Sequence, residues 1–338
     1  MSETLAQFSN NALYSATVVY ALAMVAHIAE WAMARQLPAD TRAMPLVEPV
    51  EVEASKPVLV GASRAAAPAA VPAYAVAPGE GEAERSDRFG RIGLSLTVLG
   101  LLLHAAGVVC RGFAAGRVPW GSMYEFAITG SLAAAVAYAF LVRRYSIRWL
   151  GLLVTAFLVT VLGIAMIVLY RPVAPLTAAL HSYWLVIHVS AAAIAGGAFT
   201  IGALTSVLFL LRSRLEAKAA ADPARPRTGF LWRTPSAEAI DRITYRVHAF
   251  AFPLWTFAVL AGAIWAQYAW SRFWGWDPKE VWAFITWVVY AAYLHARATV
   301  GWQGRAAAYV ALLGFATFLF NFVGINLLGS GLHAYSGM

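Results

Sequence analysis

Six of the chain's 13 tryptophans fall between Trp265 and Trp287. Four of them, Trp265, Trp270, Trp274 and Trp276, surround Gly275 and stand beside Arg272, Asp277, Lys279 and Glu280. Aromatic faces stack on extended π-systems and bury much area with few polar partners, so such a shelf suits a large planar apolar ligand. Arg272 and Lys279 could pair with carboxylates on that ligand. An interfacial aromatic belt explains one or two tryptophans per helix end, not four crowded around a glycine. The polar residues also have a purely local reading, with Asp277 as N-cap, Pro278 at N1 and Glu280 at N3 of a capping box. That reading does not exclude a site. A second set of candidates is the seven histidines, His27, His104, His181, His188, His248, His295 and His333. A lone histidine at a membrane edge is usually a polar anchor, but an ionisable group inside a span points to function.

The elements that must position these residues are membrane helices. The chain has 338 residues, 61% hydrophobic and only 12% charged, about half the charge of a soluble domain. Its mean hydropathy is +0.65. That excludes an ordinary soluble globule and a wholly disordered chain. The single cysteine, Cys110, excludes an internal disulfide framework and a cysteine-rich metal site. A spanning helix needs about 20 apolar residues, and eight stretches qualify: about 11–33, 90–110, 123–142, 149–169, 184–211, 248–268, 279–297 and 306–328. The seventh is short and rich in aromatics. The first lacks a basic n-region and is followed by Arg35, the wrong polarity for a signal peptide. Gly196-Gly197 in the fifth reads as a close helix contact, and no internal repeat of the kind transporters carry is visible.

Residues 34–89 hold seven of the 15 prolines, many alanines and mixed charge, and read as a flexible linker. The fold class is therefore an all-α polytopic membrane protein of about eight helices. Residues 1–33 form a first helix, 34–89 a linker, and 90–338 a seven-helix membrane domain with the tryptophan loop at 265–280. The net charge of +8 invites a nucleic-acid reading until its location is considered. Twenty of the 25 Lys and Arg fall in the 34–91, 143–148, 212–246 and 296–305 connections. By the positive-inside rule that side is cytoplasmic, both chain ends are extracytoplasmic, and no nucleic acid is expected.

The tryptophan segment resembles the WWD signature of the haem-handling family. Its continuation, Trp282-Ala-Phe-Ile-Thr-Trp287 through Tyr290 and Tyr293 to His295, is similar to the CcsA/CcsB/ResC branch of system II c-type cytochrome biogenesis. So are Arg111, Gly116-Arg117-Val-Pro119 and Met123-Tyr124-Glu125, and the tail from Asn326 to His333. The resemblance covers most of the chain from residue 90 onward; the linker lies outside it.

Two neutral imidazoles flanking an aromatic shelf are what six-coordinate haem iron requires. On this topology His188 and His333 lie on the side of the tryptophan loop, and the family pattern has a histidine at both positions. His181 matches no family ligand. His295 lies roughly 25–27 Å below the start of its helix and cannot reach the shelf; the resemblance assigns it to an inner haem site completed by a ResB-like partner subunit. His248 reads as an interfacial anchor beside Arg246, while His27 and His104 match no motif. The resemblance thus implies the membrane subunit of a cytochrome c synthase in the plasma membrane. Ferrous haem b would be its substrate, held outside by Trp265, Trp270, Trp274 and Trp276. Arg272 or Lys279 would hold a propionate, and Asp277 is a possible acid or base. Apocytochrome c would receive the haem at Cys-x-x-Cys-His through thioether bonds, with a thioredoxin-like thiol reductase acting indirectly. The alternative is a haem exporter or chaperone without ligation activity, as in system I.

Overall fold

A computed structural model describes residues 2–36, 80–145, 147–175, 180–299, 302–328 and 331–333. Most of the expected linker lies outside these residues. The described chain is all-helical, with α1 (Ser2–Met33), α2 (Glu80–Ala115), α3 (Met123–Tyr145), α4 (Gly151–Ile167), α5 (Tyr183–Ala221), the short α6 (Phe230–Arg233), α7 (Ala237–Trp270), α8 (Pro278–Thr299), α9 (Arg305–Leu319) and the short α10 (Ile325–Leu328). A π-turn at Phe320–Gly324 joins the last two.

Seven of these segments are long and apolar enough to cross a membrane: α1 to α5, α7, and the run from α9 through α10. The expectation of eight is thus met in part. The seventh predicted stretch does form α8, of 22 residues, but its tyrosines and charged ends dilute its hydropathy and it is not among the seven. Several helices extend well past the apolar cores read from sequence. Polar turns prolong α2, α5 and α7 beyond the hydrocarbon, where water can satisfy side chains that lipid cannot.

Local signals set the ends of the helices. Ser182 caps α5 by accepting from the Trp184 N–H at 3.2 Å, and Ser236 caps α7 by accepting from the Ala239 N–H at 3.3 Å, each satisfying an otherwise orphaned donor. Helix α5 is the central element, packed against α3, α7 and α9. Its glycines make that possible. A Cβ on Gly197 would stand 2.8 Å from the Ala133 backbone of α3, and one on Gly196 would stand 2.5 Å from the Phe318 ring of α9. The close helix contact expected at this pair is present.

Helices α1, α2 and α4 form a second group. Contacts of Ser9 with Gly107, Asn10 with Tyr170, Arg111 with the Arg171 carbonyl and His333 with Asp277 gather several segments at one end of the bundle. These are the start of α1, the end of α2, the segment around Tyr170 and Arg171, the tryptophan loop and the C-terminal tail.

Candidate functional site

The site is built on the junction between α7 and α8. Helix α7 stops at Trp270 because Ser271 turns left-handed (φ 59°) and donates its N–H to the Gln267 carbonyl at 3.0 Å. Helix α8 restarts at Pro278, and the capping box expected there is present. Asp277 Oδ1 accepts from the Lys279 N–H at 3.2 Å, while Glu280 reaches back to the N–H of Asp277 at 3.1 Å and of Gly275 at 2.8 Å. Glu280 also pairs with Arg272 at 3.1 Å. The guanidinium lies across Gly275, where a Cβ would collide with it at 1.8 Å. Arg272, expected to face a ligand carboxylate, is thus engaged in fixing its own loop.

The four tryptophans do not form one flat shelf. Trp265 is 2% exposed and lies at the centre. His188 stacks nearly parallel to it, with ring centroids 6.0 Å apart. His333 and Trp270 meet it edge-on at 5.5 and 4.8 Å. Trp270 also meets His333 at 4.7 Å, so it backs that histidine. Trp274 lines a cavity, while Trp276, 68% exposed and at φ 59°, is not among its lining residues.

The cavity has an empty volume of about 1190 Å³ including its mouth. His188, His333, Trp265, Trp274 and Lys279 line it together. His188 Nδ1 hydrogen-bonds the Ala258 carbonyl at 2.7 Å, where α7 is crossed by α5. His333 Nδ1 hydrogen-bonds Asp277 Oδ1 at 2.8 Å. The tail is also tied to the loop by its backbone, since the Leu332 N–H donates to Asp277 Oδ2 at 2.8 Å. Asp277 is therefore ionised throughout the neutral range. Its partial burial pushes the carboxyl up, but the hydrogen bond and charge of His333, with the two backbone donors, outweigh that and bring it down to about 2.

Each histidine thus has Nδ1 committed to an acceptor, which orients the ring and makes Nε2 its metal-binding nitrogen. A flat apolar ligand carrying a metal at its centre fits this donor set. The cavity also holds buried polar atoms that lack a partner, the Trp120 indole nitrogen and the Asn321 amide oxygen. Such orphans are costly unless a ligand or water meets them.

A family sequence description, "Cytochrome C assembly protein", matches residues 120–333. The chain belongs to that family. The cytochrome c assembly match therefore spans the cavity from Trp120 to His333. Similar relatives include the protein described as "Cytochrome c biogenesis protein CcsA" of Guillardia theta, 34% identical over 256 residues, covering 72% of this chain and 85% of the relative. The protein of the same description from Synechococcus sp. (strain JA-2-3B'a(2-13)) is 33% identical over 298 residues, covering 73% and 83%. The one from Microcystis aeruginosa is 35% identical over 277 residues, covering 69% and 84%.

The remaining histidines are elsewhere. His295 is exposed near the far end of α8, and His181 is exposed outside the cavity. His248 is not an interfacial anchor: it is fully buried, its ring 5.2 Å from those of Tyr290 and Tyr293, over Gly202. His104 bonds the Ile128 carbonyl at 2.8 Å and His27 bonds Glu30 at 2.9 Å, both at full burial.

Sequence reasoning missed Trp120, Phe273, Asn321, Phe322 and Asn326 as cavity residues. Trp120 follows Pro119 directly and was within reach. The other segment had a signal only the backbone reveals, because the π-turn at Phe320–Gly324 rotates Asn321 and Phe322 toward the cavity. The Arg111, Arg117 and Glu125 pattern forms a buried cluster. Glu125 pairs with Arg111 at 3.0 Å and Arg117 at 2.8 Å, and accepts from the Gly121 N–H at 2.7 Å. It holds the loop that delivers Trp120.

Proposed function

We propose that this protein carries haem b to the extracytoplasmic face of the plasma membrane and attaches it to apocytochrome c, together with a ResB-like membrane subunit. One observation carries the reading: two histidines from distant parts of the chain line one aromatic cavity, each with Nδ1 held by an acceptor. His188 and His333 are the axial ligands of the iron through Nε2, and Trp265 and Trp274 cover the macrocycle. Trp270 acts behind His333 and Trp276 is offered to the incoming cytochrome. Lys279, rather than the Glu280-bound Arg272, is the cation nearer a propionate, with the Trp120 indole N–H as a second donor.

In this account both chain ends and the tryptophan loop are extracytoplasmic, and the connection from α1 to α2 is a cytoplasmic linker, shorter than the expected 34–89 because α2 already begins at Glu80. Haem enters from the cytoplasmic side at His295, whose second ligand comes from the partner subunit. The chemistry is addition of each Cys-x-x-Cys-His thiol across a haem vinyl group. The sulfur bonds one vinyl carbon, the hydrogen goes to the other, and no net electron is exchanged. It requires thiols kept reduced, indirectly by a thioredoxin-like reductase, and ferrous haem. The cytochrome's own histidine then replaces one axial ligand. The protein contributes orientation and exclusion of water. Asp277, ionised and hydrogen-bonded at both oxygens, is a positioning residue for His333 rather than an acid or base.

The test is co-expression with the partner and an apocytochrome in a host lacking its own assembly system. Haem that stays with the cytochrome on a denaturing gel supports ligation. Haem accumulation on the membrane protein without covalent transfer would leave only an exporter or chaperone.

A further inference from the structure

A second large cavity, whose far end shares Trp120 with the first, runs as a groove between α3, α5 and α7 with an empty volume of about 1760 Å³. Its walls are apolar, from Ala137 and Phe140 of α3, Ala193 and Ile194 of α5, and Val247 and Phe250 of α7. Phe140 and Phe250 are 66% and 61% exposed, so the groove opens toward the bilayer. No histidine, cysteine or carboxylate lines it among the described residues, which removes any ligand for a metal porphyrin.

Its charge lies at one mouth. Arg246 is the only charged side chain among the described lining residues, and it makes no ion pair with any of them. Beside it, Tyr145 lines the groove, and the exposed Arg144 guanidinium sits 5.5 Å from the centre of that ring. From Tyr145 back to Thr129, another wall residue, the groove follows α3 for about 24 Å at 1.5 Å per residue, and Val118, Pro119 and Trp120 line its far end. The hydrocarbon core is about 30 Å thick, so the groove runs through most of it and is long enough for an acyl chain inserted from the basic mouth. A basic mouth over an apolar groove open to the bilayer is the arrangement that recognises an anionic lipid headgroup with its chain inserted.

We infer that this groove binds one anionic phospholipid, its headgroup between Arg144 and Arg246 and an acyl chain along α3, α5 and α7. The basic mouth lies at the opposite end from Trp120, the residue the groove shares with the cavity between His188 and His333, and the proposal does not depend on the haem reading. The lipid would seal an otherwise open seam beside the central helix and favour an anionic membrane.

The experiment is lipid mass spectrometry of the full chain, purified with its co-purifying subunits and washed in detergent. About one anionic phospholipid per chain should remain, enriched over its share of the membrane. Arg246→Gln should lower that retention about five-fold, by the loss of one headgroup cation. Ala193→Phe, which fills the groove, should abolish it. Arg246 is exposed, so its substitution reads out even if the groove-filling variant does not fold. Retained lipid in bulk proportion and unchanged by Arg246→Gln would overturn the proposal. So would a porphyrin chromophore lost with Arg246→Gln, which would make the groove a haem route. Release of a protein subunit instead of lipid by Ala193→Phe would also overturn it, by assigning the groove to a partner helix.

Discussion

Replacing Asp277 tests how the tail is held on the cavity. Its carboxylate accepts three hydrogen bonds: from His333 Nδ1 at 2.8 Å, from the Leu332 N–H at 2.8 Å and from the Lys279 N–H at 3.2 Å. Loss of an outer-shell partner typically lowers a metal ligand's affinity about 10–100-fold, or roughly 1.4–2.7 kcal/mol. Asp277→Ala removes all three bonds and opens a gap under Gly331, where a Cβ would lie only 2.4 Å from Oδ2. It should reach the upper part of that range. Asp277→Asn keeps an acceptor for His333 but turns an NH₂ toward the Leu332 N–H, so it should fall between wild type and alanine. The assay is the rate of haem transfer from the purified complex to a haem-scavenging apoprotein. The expected order of rates is wild type, Asp277→Asn, Asp277→Ala, with alanine not exceeding His333→Ala. If Asp277→Ala released haem at the wild-type rate while His333→Ala released it faster, the positioning role would be refuted.

The other predictions concern neighbouring contacts. Gly262→Ala places a Cβ 2.7 Å from His188 Nδ1, so it should displace the ring from the Ala258 carbonyl and weaken the His188 signature in the absorption spectrum. Normal haem retention and spectrum would speak against that geometry. Glu280→Ala removes the back-reaching cap of α8 and strands Arg272, and should cost roughly 2–3 kcal/mol by thermal unfolding. Glu125→Gln leaves Arg111, 1% exposed, without its carboxylate. It should be more severe, at about 3–5 kcal/mol, and visible as lost protein in the membrane. His295→Ala, on an exposed face, should leave the fold intact but lower haem loading of the cavity; unchanged loading would end the entry role.

Much of the architecture was legible because hydrophobic run length alone fixes where membrane helices occur. It also placed α8, but Tyr290 and Tyr293, buried against other helices, leave that helix less apolar than the seven long apolar ones. The cap at Asp277, Pro278 and Glu280 could be read from spacing, since capping is local chemistry. The arrangement of the tryptophans could not. Their placement depends on the left-handed turns at Ser271 and Trp276 and on Arg272 folding over Gly275, which no pattern of residue types specifies. The tie between Asp277 and His333 joins residues 56 apart in sequence and emerges only from the packing of the tail on α8. His248 shows the same limit from the other side. Beside Arg246 in sequence it looks superficial, but its helix face turns it into the core over Gly202.

The central claim is that His188 and His333 bind one haem iron in the cavity around Trp265. Its most direct test is the reduced absorption spectrum of the complex purified from haem-replete cells, for wild type and for the double variant His188→Ala/His333→Ala. Wild type should show a six-coordinate bis-histidine spectrum, the double variant should lose it, and added imidazole should partly restore it. A bis-histidine spectrum that persists unchanged in the double variant would contradict it.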